Sequence, residues 1–251
     1  MRFSLAFIVS LIIYFKKLKE VTFLDVMKGS IIGLFLFLVF VFQTVGLQYT
    51  IQSKNAFLTE VNIVIVPFLS WIILRNEISK NVIIGAIITL IGISFISINS
   101  HLLTTFNKAD ILTLICVVFF ALQIFYTDYY VNDIEPGIIM ICQMGTAALC
   151  SWITVLLINQ EQIEINQKSI IPILYLGLVS TLIAYGIQTW AQKRISSTQA
   201  AIILSTEAVF GMLASIIIFD EKVTISILAG SILIVEINSK KNSINSLDEN
   251  S

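Results

Sequence analysis

Apolar residues run along this chain in blocks of about 20, separated by short polar clusters, with little period-2 alternation inside them. Two stretches, Ser30–Ile51 and Asn81–Ser100, carry no charge at all. A run of about 18 or more such residues reads as a membrane-spanning helix, whereas a barrel strand needs only about 9–11, alternating. On this basis the pattern predicts spans near 3–15, 30–49, 55–74, 82–99, 110–131, 137–158, 170–190, 198–219 and 223–238, with a polar, disordered tail over 239–251. The short connections make the helices antiparallel neighbours and leave no room for a soluble domain. The fold class expected is therefore an all-α polytopic membrane protein.

Composition agrees: 57% of residues are hydrophobic and 12% charged, with a mean hydropathy of +0.93, against about 25% charged in ordinary soluble domains. A net charge of −1 gives no reason to expect a nucleic-acid partner. Counting Lys and Arg in alternate loops puts Lys16, Lys17, Lys19, Lys28, Arg75, Lys80, Lys193, Arg194, Lys240 and Lys241 on one side. The other side holds Lys54, Lys108, Lys168 and Lys222. The positive-inside rule makes the first side, and the C-terminus, cytoplasmic. Cys116, Cys142 and Cys150 lie inside apolar runs and read as packing residues; with one histidine, His101, no metal site or other cofactor is expected.

One polar phrase is written twice. GLQYTIQ (Gly46–Gln52) and GIQTWAQ (Gly186–Gln192) align Gln48 with Gln188 and Gln52 with Gln192 at a shift of about 140 residues. Beyond a four-residue insertion, Lys193–Ser196, the match continues ungapped from Ser53 and Ser197 to Glu77 and Glu221. The alternating topology makes the two copies run in opposite directions. Inverted halves with a substrate site between them are a recurrent transporter plan. The first half, 1–100, holds four spans and the second, 108–238, five, so the chain reads as lacking the first helix of a ten-helix plan.

The segments GLQYTIQSKNAFLTEVNIVIVPFLSWIILRNEIS and STLIAYGIQTWAQKRISSTQAAIILSTEAVFGMLASIIIFDEKVT resemble the EamA family of the drug/metabolite transporter superfamily; FLTEVNIVIVP and STEAVFGMLASIIIFDE are the most specific pieces. The resemblance covers everything but the tail. It implies two inverted five-helix repeats, of which nine spans are present here, and export of metabolites such as amino acids.

An ionisable group in hydrocarbon costs at least about 2.5–3.5 kcal/mol, so residues at membrane depth are the site candidates. Glu207, near the centre of its span, either faces a cavity, where it binds a substrate amine or carries a proton, or fixes helix packing. Glu60 and Asn62, ahead of Pro67, suit a cavity wall. Gln43, Gln123, Tyr126 and Gln143 are hydrogen-bonding groups on different helices and together suggest a polar cavity for a small zwitterion; singly, each also suits an interhelical bond. The doubled phrase reads first as an interface feature in which amides satisfy helix-end carbonyls. Gln188 or Trp190 would then line a cytoplasmic gate.

These features predict a multi-pass secondary transporter of the plasma membrane that exports a small-molecule metabolite by alternating access between the repeats. Its partners would be that substrate, the bilayer and either a second copy of the chain or a complementing chain. A non-transporting or partner-dependent subunit is the alternative. An intramembrane enzyme is remote, since no Asp pair, Ser/His set or metal-ligand set lies at depth.

Overall fold

The computed structural model describes residues 1–49, 55, 58–75, 83–84, 86–88, 91, 108–158, 167–207 and 210. The expected span 223–238, most of 82–99, the tail, Gln52, Glu77 and His101 lie outside these residues. The described residues form helices and turns, with no strand among them. They are α1 (Arg2–Tyr14), α2 (Phe23–Leu47), α3 (Asn62–Leu74), α4 (Lys108–Val131), α5 (Pro136–Ile158), α6 and α7 (Ser197–Leu204). α6 is composite: an α-helical start over Gln167–Leu174, a π-helical stretch over Tyr175–Ile183 and an α-helical end over Ala184–Ala191. Among the described residues four helices are long and apolar enough to cross a membrane: α2, α4, α5 and the run Ser169–Ala191 within α6.

The helix ends follow local chemistry. α1 stops after 13 residues and passes into a 3₁₀ segment, Phe15–Glu20, which carries Lys16, Lys17 and Lys19. α2 begins earlier than the expected 30 because Thr22 and Asp25 form a reciprocal cap. The Thr22 backbone N–H donates to Asp25 Oδ2 at 2.9 Å and the Asp25 N–H donates to Thr22 Oγ1 at 3.3 Å, satisfying donors that a helix start leaves open. The expected 55–74 span is interrupted by a turn at Glu60–Val61. Ile63 N–H bonds Glu60 O at 3.1 Å and Val64 N–H bonds Val61 O at 3.0 Å. Pro67 lies one turn further on, inside α3. A proline ring crowds the carbonyl four residues back, here Ile63, and the irregular turn sits just before that point. α3 ends at Arg75, whose φ of 55° is left-handed, a position more often taken by glycine.

The chain divides into two compact units, 1–40 with 122–196 and 41–121 with 197–251. Each unit draws on both halves of the sequence. In the first, α1 lies against α5 and α6, presenting Phe3, Ala6 and Ser10 inward at helical spacing and Ile8, Ile12 and Ile13 outward. Leu36 of α2 with Met140, Met144, Ala147 and Ala148 of α5 completes that core. Ile32, Val131, Ile134, Ile138 and Ile139 form a second cluster. Lipid tails are as apolar as leucine, so burial alone does little to join helices in a bilayer; close approach and hydrogen bonds do more. Glycines supply the approach. A methyl group at Gly33 of α2 would fall 2.5 Å from the Gln143 carbonyl oxygen of α5, and one at Gly145 would fall 2.9 Å from the Phe7 ring. Trp152 Nε1 also donates to Ser4 Oγ at 2.9 Å, tying α5 to α1.

In the second unit, Asn55 Nδ2 donates to Thr113 Oγ1 at 3.1 Å, and Gly46 faces that same hydroxyl. Phe42 stacks on Phe119 at 5.7 Å between centroids, and α3 packs against α7.

Candidate functional site

The first unit carries a buried polar network built on α4, α5 and the end of α6. Gln188 and Gln192, one turn apart on α6, face α4. Gln188 Nε2 donates to Gln123 Oε1 at 3.2 Å and lies 3.5 Å from Gln192 Oε1. Gln123 Nε2 donates to Thr127 Oγ1 at 3.3 Å, and Thr127 Oγ1 donates back to the Gln123 carbonyl at 2.7 Å. Gln192 Nε2 donates to the Ile124 carbonyl at 2.8 Å. Gln123, Thr127 and Gln192 are buried.

A second limb begins on the adjacent residue. Thr189 faces α5, where Gln143 Nε2 donates to its Oγ1 at 3.3 Å and to Met140 Sδ at 2.8 Å. Thr189 spends its own proton on the Tyr185 carbonyl at 2.7 Å. Gln143 Oε1 is buried and has no hydrogen-bond partner. A buried acceptor left open costs about 1–3 kcal/mol, which a donor from an incoming solute would recover.

The amides of the second phrase therefore do not satisfy helix-end carbonyls, as the sequence reading expected. Gln192 bonds a carbonyl inside α4, and Gln188 bonds a side chain, because the end of α6 packs along α4 and the glutamines face that helix. The two copies of the phrase also differ. Gln48 and Tyr49 are exposed, while Gly46 is buried.

The remaining candidates sit as follows. Tyr126 is half-buried beside this network, stacked on Phe35 at 5.5 Å and close to Phe125, Tyr129 and Tyr130. Trp190 is 55% exposed and carries the Arg194 guanidinium over its ring at 4.3 Å. Gln43 is half-buried on α2. In the second unit, Glu60 is buried in the turn before α3, and Asn62, buried at the first position of α3, has an Oδ1 without a hydrogen-bond partner. Glu207 is exposed, and its carboxyl lies within electrostatic reach of Glu60. Among the described residues no group of three or more His, Cys, Asp or Glu is placed to hold a metal ion.

Sequence reasoning passed over Thr127, Thr189, Met140 and Arg2. The threonines carry a signal after the fact: each follows a polar or aromatic residue by four positions, on the same helix face. Arg2 donates from Nε to Thr181 Oγ1 at 3.0 Å and lies over the Phe40 ring at 4.0 Å. Thr181 in turn donates to the Leu176 carbonyl at 2.6 Å, a five-residue spacing that fits the π-helical stretch.

A profile of the EamA-like transporter family matches residues 1–98 and 107–235. An uncharacterized transporter of Archaeoglobus fulgidus is 32% identical over 200 residues, 80% of this chain and 63% of the relative. The aligned part of the chain thus spans under two thirds of that relative's length. A solved crystal structure superposes with a TM-score of 0.78 over 95% of this chain and 83% of its own at 14% identity, a likeness of fold. With the family profile matching nearly the whole chain, this multi-pass helical membrane protein belongs to the EamA-like transporter family.

Proposed function

We propose that the protein is a secondary transporter of the plasma membrane that exports small polar metabolites, amino acids or their relatives, by alternating access and without nucleotide, its C-terminus lying in the cytoplasm. The observation that supports this reading best is the buried amide network. Gln123, Gln143, Gln188 and Gln192 come together from α4, α5 and the end of α6, and Gln143 keeps one acceptor open. Singly each amide suits an interhelical bond; four of them converging from three helices suit a polar path. A solute carrying an ammonium or hydroxyl group supplies the donor that Gln143 lacks. Glu60, buried in the turn before α3, and Glu207 on the expected 198–219 span are the carboxyls suited to carry a coupling proton.

The test is solute counterflow in proteoliposomes with a panel of labelled amino acids, alongside transport driven by an imposed pH gradient. Gln143→Leu is expected to lower counterflow at least about tenfold at unchanged reconstituted abundance. Glu207→Gln is expected to retain counterflow while losing gradient-driven transport. Full activity of Gln143→Leu would remove the amide network from the substrate path.

A further inference from the structure

At one end of the first unit, three segments meet around a cleft of about 110 Å³. Tyr14 comes from the end of α1, Glu135 to Gly137 from the turn and start of α5, and Gly186, Trp190 and Lys193 from the end of α6 and the turn after it. Met140 also lines it. Since a water occupies about 30 Å³, the cleft has room for a few waters or the head of a small solute. Complete ligand pockets run to about 300–1,000 Å³. It is an entrance rather than a full binding pocket.

Its chemistry is specific. Lys17 Nζ sits 3.2 Å from Glu135 Oε1, which leaves Oε2 to a second cation. Lys193 is exposed, and neither of the two ion pairs described involves it. Two aromatic rings, Tyr14 and Trp190, flank the acid and the base. The lining thus carries one acid and one base, Glu135 and Lys193, the chemistry that complements a group with one ammonium and one carboxylate.

Met140 connects the cleft to the network. It is 1% exposed and lines the cleft, while its sulfur touches Gln143 Nε2 at 2.8 Å and lies 3.7 Å from Thr189 Oγ1. Methionine has three rotatable bonds and a soft thioether, so it can leave such a place and return. Across from it stands Gly186, where an added methyl would lie 3.9 Å from Met140 Cε. That is ordinary contact, so the glycine leaves the thioether space to move into.

We propose that this cleft is a loading vestibule for a small zwitterionic solute, and that Met140 is the plug between it and Gln143. The proposal rests on the transport reading above, takes its solute class from it and adds the route and the plug. The plug shields Thr189 and Gln143 at rest. A solute held between Glu135 and Lys193 waits above the plug, and displacement of the thioether exposes the open Gln143 acceptor.

The experiment uses the full chain in proteoliposomes with Cys116, Cys142 and Cys150 replaced by alanine and Thr189→Cys introduced. The rate of modification by a small cationic methanethiosulfonate is read from the cleft side. Met140→Ala is expected to raise that rate at least about tenfold. Met140→Leu, which keeps the volume with one rotatable bond fewer, and Gly186→Ala, which fills the space opposite, are expected to leave it equal or lower. In the Met140→Ala background phenylalanine should slow modification, whereas phenethylamine and phenylpropionate, each with one charge, should not. Glu135→Gln with Lys193→Gln should abolish the phenylalanine effect. A modification rate indifferent to Met140→Ala, or raised by Gly186→Ala, overturns the plug, and equal effects of the three solutes, or none, overturn the zwitterion assignment. Counterflow by the otherwise unaltered chain reports separately on transport, so loss of either reading is seen without the other.

Discussion

Gln188 shows how much one side chain decides here. Its amide joins α6 to α4 through Gln123 at 3.2 Å. Interhelical hydrogen bonds in membranes average about 0.6 kcal/mol and reach about 1.7. A double-mutant cycle of Gln123→Leu and Gln188→Leu is therefore expected to show a coupling of about 0.6–1 kcal/mol in reversible unfolding, small enough that both variants fold. Loss of counterflow in either variant would then report the site and not stability. Which residues stand out in sequence follows from contrast. Gln123, Gln143 and Gln188 are amides in apolar runs and are visible as such. Thr127 and Thr189 are not, since a threonine on a helix can bond its own backbone four residues back and needs no partner elsewhere. Met140 is invisible for the same reason: a methionine in an apolar run reads as core until its neighbours are known.

The elements themselves were largely legible. Hydropathy placed α1, α4, α5 and α6 within a few residues of their observed ends; for α4, α5 and α6 this is because a helix that must cross hydrocarbon has its length set by the bilayer. The start of α2 was not, because the cap between Thr22 and Asp25 extends the helix beyond its apolar part. The π-helical stretch Tyr175–Ile183 was not legible either; nothing in YLGLVSTLI breaks the apolar pattern. Thr181→Val would remove both the donor to Leu176 O and the acceptor of Arg2 Nε, with an expected loss of about 1 kcal/mol of unfolding free energy. Gly33 has less freedom. Its neighbour on α5 includes backbone as well as a side chain, so Gly33→Leu has no flexible end to push aside. Overpacking of this kind costs about 1–3 kcal/mol, and a fall in melting temperature with loss of monodisperse protein in detergent is expected. An unchanged melting temperature would mean that the α2–α5 approach is looser than described.

At the scale of the molecule, charge and lipid divide the labour. Lys17 with Glu135 and Lys28 with Asp133, at 3.2 and 3.4 Å, gather at one end of the first unit. Exposed pairs of this kind contribute about 0–1 kcal/mol, so their value is topological. Single cysteines at Lys17, Asp133 and Lys193 are expected to react with an impermeant thiol reagent from the same face of the membrane, the cytoplasmic one. Reaction of Asp133→Cys from the opposite face would overturn the assignment drawn from Lys and Arg counts. The doubled phrase, Gly46–Gln52 and Gly186–Gln192, was readable in the sequence. The compact units, 1–40 with 122–196 and 41–121 with 197–251, were not, because a linear pattern does not say which helices pack together.

Trp190 gives the cleft an optical consequence. Of the three tryptophans, Trp71 and Trp152 lie within α3 and α5, on apolar helices. Trp190 stands at the cleft beneath the Arg194 guanidinium and beside Lys193. Those two cations concentrate iodide at that indole, so an aqueous anionic quencher is expected to favour Trp190 over Trp71 and Trp152. The intrinsic fluorescence of the unlabelled protein thus reports whether the cleft is occupied by water or by solute.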